Sequence, residues 1–225
     1  MGQNFYQMTN KAVVVGASGL IGRHLVNTLL LSYEYSEVVS ISRKKLPVHS
    51  SKLRQIIAEF DRVDDYQDEI NGRALFCCLG STLQKTPDKK EYYKIDHDHP
   101  VKLAEIALKN GVEQYHLVSS IGADPNSSNF YLKMKGETEE DIKKVGLKAL
   151  CIYRPSILVG ERTESRKLER VTIKLMLLLS PLLLGPLKKY RAIHAKVVAK
   201  AMFKTSLKKR EGVYIYSSEQ IKKRA

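Results

Sequence analysis

Val13-Val14-Val15-Gly16-Ala17-Ser18-Gly19-Leu20-Ile21-Gly22 joins a β-branched run to three glycines spaced G-x-x-G-x-x-G, and an apolar stretch with helical spacing comes directly after. A strand that ends in a tight glycine turn and continues as a helix aims free backbone N–H groups at an anion. Gly16 suits the turn, Gly19 the close approach of a phosphate, and Gly22 the packing of helix on strand. The first interval is one residue longer than in G-x-G-x-x-G, so the match is to a variant. Alone, the three glycines also describe a plain strand–turn–helix corner.

The rest of the chain decides between these. Short apolar runs alternate with longer helical periods, the pattern of βαβ units on a parallel sheet. Strands are expected at Lys11–Gly16, Val38–Ser42, Gln55–Phe60, Arg73–Leu79, Gln114–Ser120 and Lys148–Arg154. A first helix runs from Leu20 to about Tyr33, with Leu20, Ile21, His24, Leu25, Thr28 and Leu29 on one stripe. Asp64 is expected to cap a short helix. A long helix is expected from Glu91 to Asn110, and another from Phe130. The expected architecture is α/β, a doubly wound parallel sheet with right-handed crossovers.

At 225 residues and 43% hydrophobic content the chain suits one domain with a buried core. Residues 1–10 read as a tail, 11–160 as the dinucleotide-binding core, and 161–225 as a basic region packed on it. The net charge of +14 is uneven: residues 161–225 hold 17 Lys and Arg against 5 Asp and Glu. Such a segment suits an anionic partner, or is simply a solvated basic face. No strong nucleic-acid motif accompanies it. The greasy stretch Leu175–Leu187 is cut by Pro181 and Pro186 and is too short to span a bilayer. Three cysteines, Cys77, Cys78 and Cys151, form no metal or disulfide pattern, and a cytoplasmic location is expected. In Asp96-His97-Asp98-His99 the two histidines point apart on a helix, and no third ligand has a usable spacing, so no metal is expected.

The chemistry is read from the strand ends. Where an NAD-specific site holds an acidic residue, the second strand ends in Arg43-Lys44-Lys45. Arg43 can grip a 2′-phosphate, which favours NADP(H), although an arginine there also fits a surface loop. Gly80-Ser81-Thr82 closes the fourth strand with small residues, and the following loop is either a lid or surface. Ser119 and Ser120 close the fifth. Tyr131 and Lys135, four apart, share one helix face. A free tyrosine has a pKa of about 10, and a nearby ammonium lowers it. Tyr131 can then protonate a carbonyl oxygen, or deprotonate an alcohol in reverse, with a serine hydroxyl holding that oxygen.

With these residues in place the chain resembles the short-chain dehydrogenase/reductase superfamily in its atypical branch, and within it the Tat-interacting, oxidoreductase-like proteins. The similar stretches are Val-Gly-Ala-Ser-Gly at 15–19, Ser-Arg-Lys-Lys-Leu at 42–46, Asp-Asp-Tyr at 64–66, Phe-Cys-Cys-Leu-Gly at 76–80, Leu-Val-Ser-Ser-Ile-Gly-Ala-Asp at 117–124, Ser-Ser-Asn-Phe at 127–130 and Tyr-Arg-Pro at 153–155. The resemblance implies a Rossmann-type fold with a small C-terminal substrate-side region, and NADP(H) as cofactor. It implies Tyr131 and Lys135 as the catalytic pair with Ser120, or its neighbour Ser119, as helper. It places cofactor contacts on Gly16, Ser18, Gly19, Leu20, Ile21, Arg43, Leu79, Gly80 and Lys135. Arg154-Pro155-Ser156-Ile157 matches the segment that passes the nicotinamide. Ile121 departs from the pattern, standing where a basic residue is familiar, and the match weakens after Gly160. The expected function is NADP(H)-dependent oxidation or reduction of a small carbonyl or alcohol. The alternative is an NADP(H)-binding regulatory protein whose basic third meets an anionic partner.

Overall fold

The computed structural model describes residues 10–160 and 191–225. The tail before Asn10, the Leu175–Leu187 stretch, and Lys188 and Lys189 lie outside the described residues.

The first unit is strand β1 (Lys11–Val15) and helix α1 (Leu20–Leu30). All five residues of β1 are buried, as a strand covered on both faces requires. Ala12 and Val14 pack toward α1, and Val13 and Val15 toward the opposite layer. The helix ends three residues before the expected Tyr33, which is fully exposed. Its buried side is Ile21, Gly22, Leu25, Val26 and Leu29, with Leu20, His24 and Thr28 only half-buried at its border.

Strands β2 (Glu37–Ser42), β3 (Leu53–Ile57), β4 (Ala74–Cys77), β5 (Gln114–Val118) and β6 (Ala149–Arg154) come next along the chain. Two parallel residues each form β7 (Leu158–Val159) and β8 (Ile193–His194), a small separate ladder. The main sheet is completed by β9 (Gly212–Ser217), giving seven parallel strands in the order β3-β2-β1-β4-β5-β6-β9. Six of these were expected from the sequence. The seventh comes from the region read as basic, where Val213-Tyr214-Ile215-Tyr216 alternates between lysine-rich flanks.

Helices α2 (Lys89–Tyr93), α3 (His99–Lys109) and α4 (Phe130–Lys144) cover one face, while α1, α5 (Ala195–Ser206) and α6 (Ser218–Arg224) cover the other. Residues 191–225 therefore supply an edge strand and part of the second layer.

Three expectations need correction. The third strand lies at Leu53–Ile57, not Gln55–Phe60, because a 3₁₀ helix takes over from Phe60 to Asp65. That helix starts after Glu59, so Asp64 lies inside it and caps nothing. The expected Glu91–Asn110 helix begins at Lys89, where the Asp88 carboxylate accepts the Lys90 N–H at 2.7 Å. It is then interrupted by a π turn over Lys94–Asp98. An extra residue in a helix rotates the turns on either side of it relative to each other, and so re-aims their side chains.

Beneath α5, the rings of Phe76, His116, Tyr153 and Tyr216 line up across four strands, with successive centroids 4.7, 5.9 and 5.2 Å apart, the first two pairs stacked and the third tilted. His116 is fully buried, with Nδ1 3.0 Å from the Tyr153 hydroxyl. Burial pushes its pKa down to about 3, so it is neutral.

Candidate active site

A parallel sheet brings the carboxyl ends of its strands to one rim, where ligands bind. Here that rim is pinned by main-chain bonds between strand ends. Gly16 N–H donates to Ile41 O at 3.0 Å, and Cys78 N–H to Val15 O at 2.9 Å. Gly16 has φ +77°, and a Cβ there would lie 2.7 Å from the Cys78 carbonyl oxygen. At Gly22 a Cβ would collide with the Gly16 carbonyl oxygen, so α1 sits this close to the turn only with glycine. Gly19 is the N-cap of α1. No side chain caps the helix, and its first turn holds no acidic residue. The N–H groups of Leu20 and Ile21 belong to the four donors that a helix start leaves without intrahelical acceptors. Ser18 is exposed beside them. This donor set, at the positive end of the helix dipole, fits the pyrophosphate of a dinucleotide.

The remaining expected contacts fall along the same rim. Arg43 is the residue directly after β2 and is exposed, and it makes no hydrogen bond or ion pair with another described residue. The Ser42 hydroxyl donates to Lys44 O at 2.7 Å and shapes that turn. Leu79 is buried and Gly80 exposed just after β4.

Tyr131 and Lys135 occupy the first two turns of α4, whose start is fixed by Asn129. Its side-chain oxygen accepts the Leu132 N–H at 3.1 Å. Tyr131 is half-buried and its ring stacks on Tyr92, centroids 6.4 Å apart and planes 13° from parallel. Lys135 is buried, and its Nζ lies 2.7 Å from Asp96 Oδ1. Burial by itself would push the Lys135 ammonium down. The Asp96 carboxylate, with Tyr131 adding to it, overcomes that and holds Lys135 above the ordinary lysine range. Gly136 is next in the helix, and a Cβ there would collide with the Asp124 and Pro125 backbone. A glycine at this point lets α4 lie against the loop that leaves β5.

The two serines have different surroundings. Ser119 is buried and its hydroxyl donates to Glu139 Oε1 at 2.5 Å. Glu139 is fully buried and also accepts from Arg154, from Nε at 2.9 Å and from Nη2 at 2.6 Å. Those bonds hold the Arg154 guanidinium above its ordinary range. Ser119, Glu139 and Arg154 thus tie β5, α4 and β6 together. Ser120 is half-buried, and its hydroxyl makes one long contact, 3.3 Å to Ile121 O.

Sequence reasoning did not find Asp96 as the partner of Lys135, nor Glu139. Glu139 carried a signal: Tyr131, Lys135 and Glu139 are spaced by four and share one helix face. Asp96 carried none, because the π turn sets its direction. Its neighbours His97 and His99 pair elsewhere, His97 Nε2 with Asp141 at 3.1 Å and His99 Nε2 with Asp61 at 3.1 Å. Among the described residues no three His, Cys, Asp or Glu side chains converge where a metal could sit.

The sequence and the fold have counterparts among known proteins. Residues 16–174 match the family described as NAD(P)H-binding. Protein HTATIP2 of Rattus norvegicus is 35% identical over 166 residues, 72% of this chain and 68% of that protein. Protein fmp52, mitochondrial, of Aspergillus clavatus is 31% identical over 221 residues, 95% of this chain and 94% of that one. Protein FMP52, mitochondrial, of Saccharomyces cerevisiae is 37% identical over 158 residues, 69% and 68%. Among solved structures, MoeE5 in complex with UDP-glucose and NAD superposes with a TM-score of 0.70 at 18% identity, covering 94% of this chain and 79% of that one. That likeness is one of fold. The chain belongs to the NAD(P)H-binding family, as an atypical short-chain dehydrogenase/reductase of the HTATIP2 type.

Proposed function

We propose that this protein is an NADP(H)-dependent oxidoreductase that interconverts a small carbonyl compound and its alcohol. The reading is carried by the buried Lys135 ammonium, one helical turn from the half-buried Tyr131 phenol, on the rim where the glycine turn of β1 also ends. The uncapped start of α1, with Gly16, Ser18, Gly19, Leu20 and Ile21, would hold the pyrophosphate. Leu79, Gly80 and Lys135 would line its path toward the nicotinamide. Arg43, exposed and without an acidic partner among the described residues, suits a 2′-phosphate and supports NADP(H) over NAD(H). When bound, the nicotinamide supplies or accepts the hydride.

Tyr131 gives its phenolic proton to the substrate oxygen as that oxygen gains charge, and takes it back in the reverse direction. The Lys135 charge favours the phenolate that remains. Ser120 is the serine whose hydroxyl is free to hold the substrate oxygen, since Ser119 is committed to Glu139. Binding of NADPH and NADH to the wild type and to Arg43→Ala tests the cofactor. NADPH should bind at least about tenfold tighter to the wild type and lose that advantage in the variant. Equal affinities for both cofactors in the wild type would overturn the Arg43 assignment.

A second reading is favoured by one observation. Lys196, Lys200 and Lys204 form an exposed stripe along α5, with Lys222 and Lys223 exposed on α6. In this reading the protein binds NADP(H), turns over little, and meets an anionic partner with that face. Binding to such a partner should weaken with salt and on neutralising the stripe. A cytoplasmic location is proposed on the unpaired thiols alone. Cell fractionation decides between it and the mitochondrial location in the fungal relatives' names.

A further inference from the structure

Asp96 uses both carboxylate oxygens inward. Oδ1 lies 2.7 Å from Lys135 Nζ, and Oδ2 accepts the Ser81 N–H at 2.7 Å. Its main-chain oxygen accepts the Thr138 hydroxyl at 3.1 Å, so the π turn is bonded to α4 at Lys135 and again three residues further on. The Asp96 and Lys135 side chains are 1% and 5% exposed. The carboxylate therefore touches three parts of the rim: the ammonium on α4, the main chain just after β4, and, across 3.6 Å, the space a side chain at Gly80 would enter.

That contact constrains the proton chemistry. An ammonium acidifies a phenol by preferring the phenolate as its neighbour. Here the ammonium already has an anion in contact, in a place where water cannot screen either charge. The phenolate of Tyr131 must share Lys135 with Asp96.

We infer that Asp96 is a positioning residue: it holds Lys135 Nζ beside the main chain that follows β4, and as a competing anion it sets how far Lys135 can acidify Tyr131. The inference rests on the proposed pairing of Tyr131 with Lys135, and goes beyond it by naming the group that tunes the pair. The other titratable groups facing the ammonium are Cys77 at the end of β4, held protonated by burial, and Tyr92 on α2, whose phenol is also pushed up, first by burial and then by Asp96.

The test needs neither substrate nor cofactor. Phenolate absorbance is titrated in the wild type and in Asp96→Asn, each paired with its Tyr131→Phe counterpart, so that the difference isolates Tyr131 from the other tyrosines. Asparagine keeps an acceptor for the Ser81 N–H and removes the charge. The Tyr131 midpoint should fall by about one pH unit in Asp96→Asn, and Asp96→Glu should bring it back toward the wild type. A midpoint that stays or rises in a cooperatively folded Asp96→Asn overturns the inference.

If Asp96→Asn does not fold, the wild type still decides. The Lys135 side-chain NMR signal, identified by its loss in Lys135→Arg, should keep its charged shift to higher pH than the exposed lysines. Titration together with them overturns the inference. NADPH oxidation is a separate measurement, so failure of the proposed turnover and failure of this inference give different results.

Discussion

Ser119 and Ser120 are neighbours of the same type, and the structure gives them opposite consequences. Ser119→Ala removes the hydroxyl that donates at 2.5 Å to a fully buried carboxylate. A hydrogen bond to a charged group contributes about 1.5–3 kcal/mol. For a chain of this size each kcal/mol moves the melting temperature by about 2–4 °C. The expected fall is therefore about 3–12 °C. Ser120→Ala removes a half-buried hydroxyl with one 3.3 Å contact, so its stability should change by no more than about 0.5 kcal/mol. Thermal unfolding of the two variants, followed by calorimetry at neutral pH, reads this directly. NADPH oxidation with any carbonyl the wild type reduces should show the reverse order, with Ser120→Ala the more damaged per folded molecule. The reasoning is refuted if Ser120→Ala melts lower than Ser119→Ala, or if Ser119→Ala melts with the wild type.

Three further predictions concern the frame around the site. Arg154→Met leaves the Glu139 carboxylate buried with Ser119 as its one partner among the described residues, which should cost about 3 kcal/mol, the lower end for a broken buried pair because Arg154 is partly exposed. Thermal melts of the variant beside the wild type at neutral pH check the loss. Gly136→Ala forces a Cβ into the Asp124 and Pro125 backbone and should destabilise by about 1–3 kcal/mol or more, while lowering activity through the loop after Ser120. His116, neutral in the fold with its pKa near 3, takes a proton more readily unfolded, so its contribution is intact above about pH 6.5 and is lost as pH falls from there toward 3. In His116→Gln the drop in melting temperature between pH 7 and pH 4 should be shallower than in the wild type.

How far the sequence carries depends on whether a feature is local. The β1–turn–α1 unit was legible because Val13–Val15 and the glycines lie within ten residues and each rests on local geometry. The same holds for Tyr131 and Lys135, whose common face comes from helical spacing. β3 was misplaced because it is an edge strand with no fully buried residue, so burial does not mark its limits. β9 was hidden because the lysines and arginines beside it dominate the composition, although its alternation is regular. Ser119 could not be told from Ser120, since what separates them is Glu139, twenty residues on, and Arg154, on another strand. Asp96 was read only within Asp96-His97-Asp98-His99, where no metal is expected, because ordinary helical spacing does not carry it to Lys135. The π turn breaks that spacing, and the aspartate meets Lys135 only through tertiary packing.

Tyr131 is the proposed acid and base of an NADP(H)-dependent reaction. The most direct measurement is NADPH oxidation by the wild type and Tyr131→Phe across a panel of aldehydes, ketones and quinones. Both proteins should first be shown to bind NADPH equally. Proton transfer by a positioned side chain contributes about 10²–10⁴-fold, so kcat/KM for every substrate turned over should fall by at least about a hundredfold in Tyr131→Phe. Equal rates for the two proteins on every such substrate would contradict the assignment.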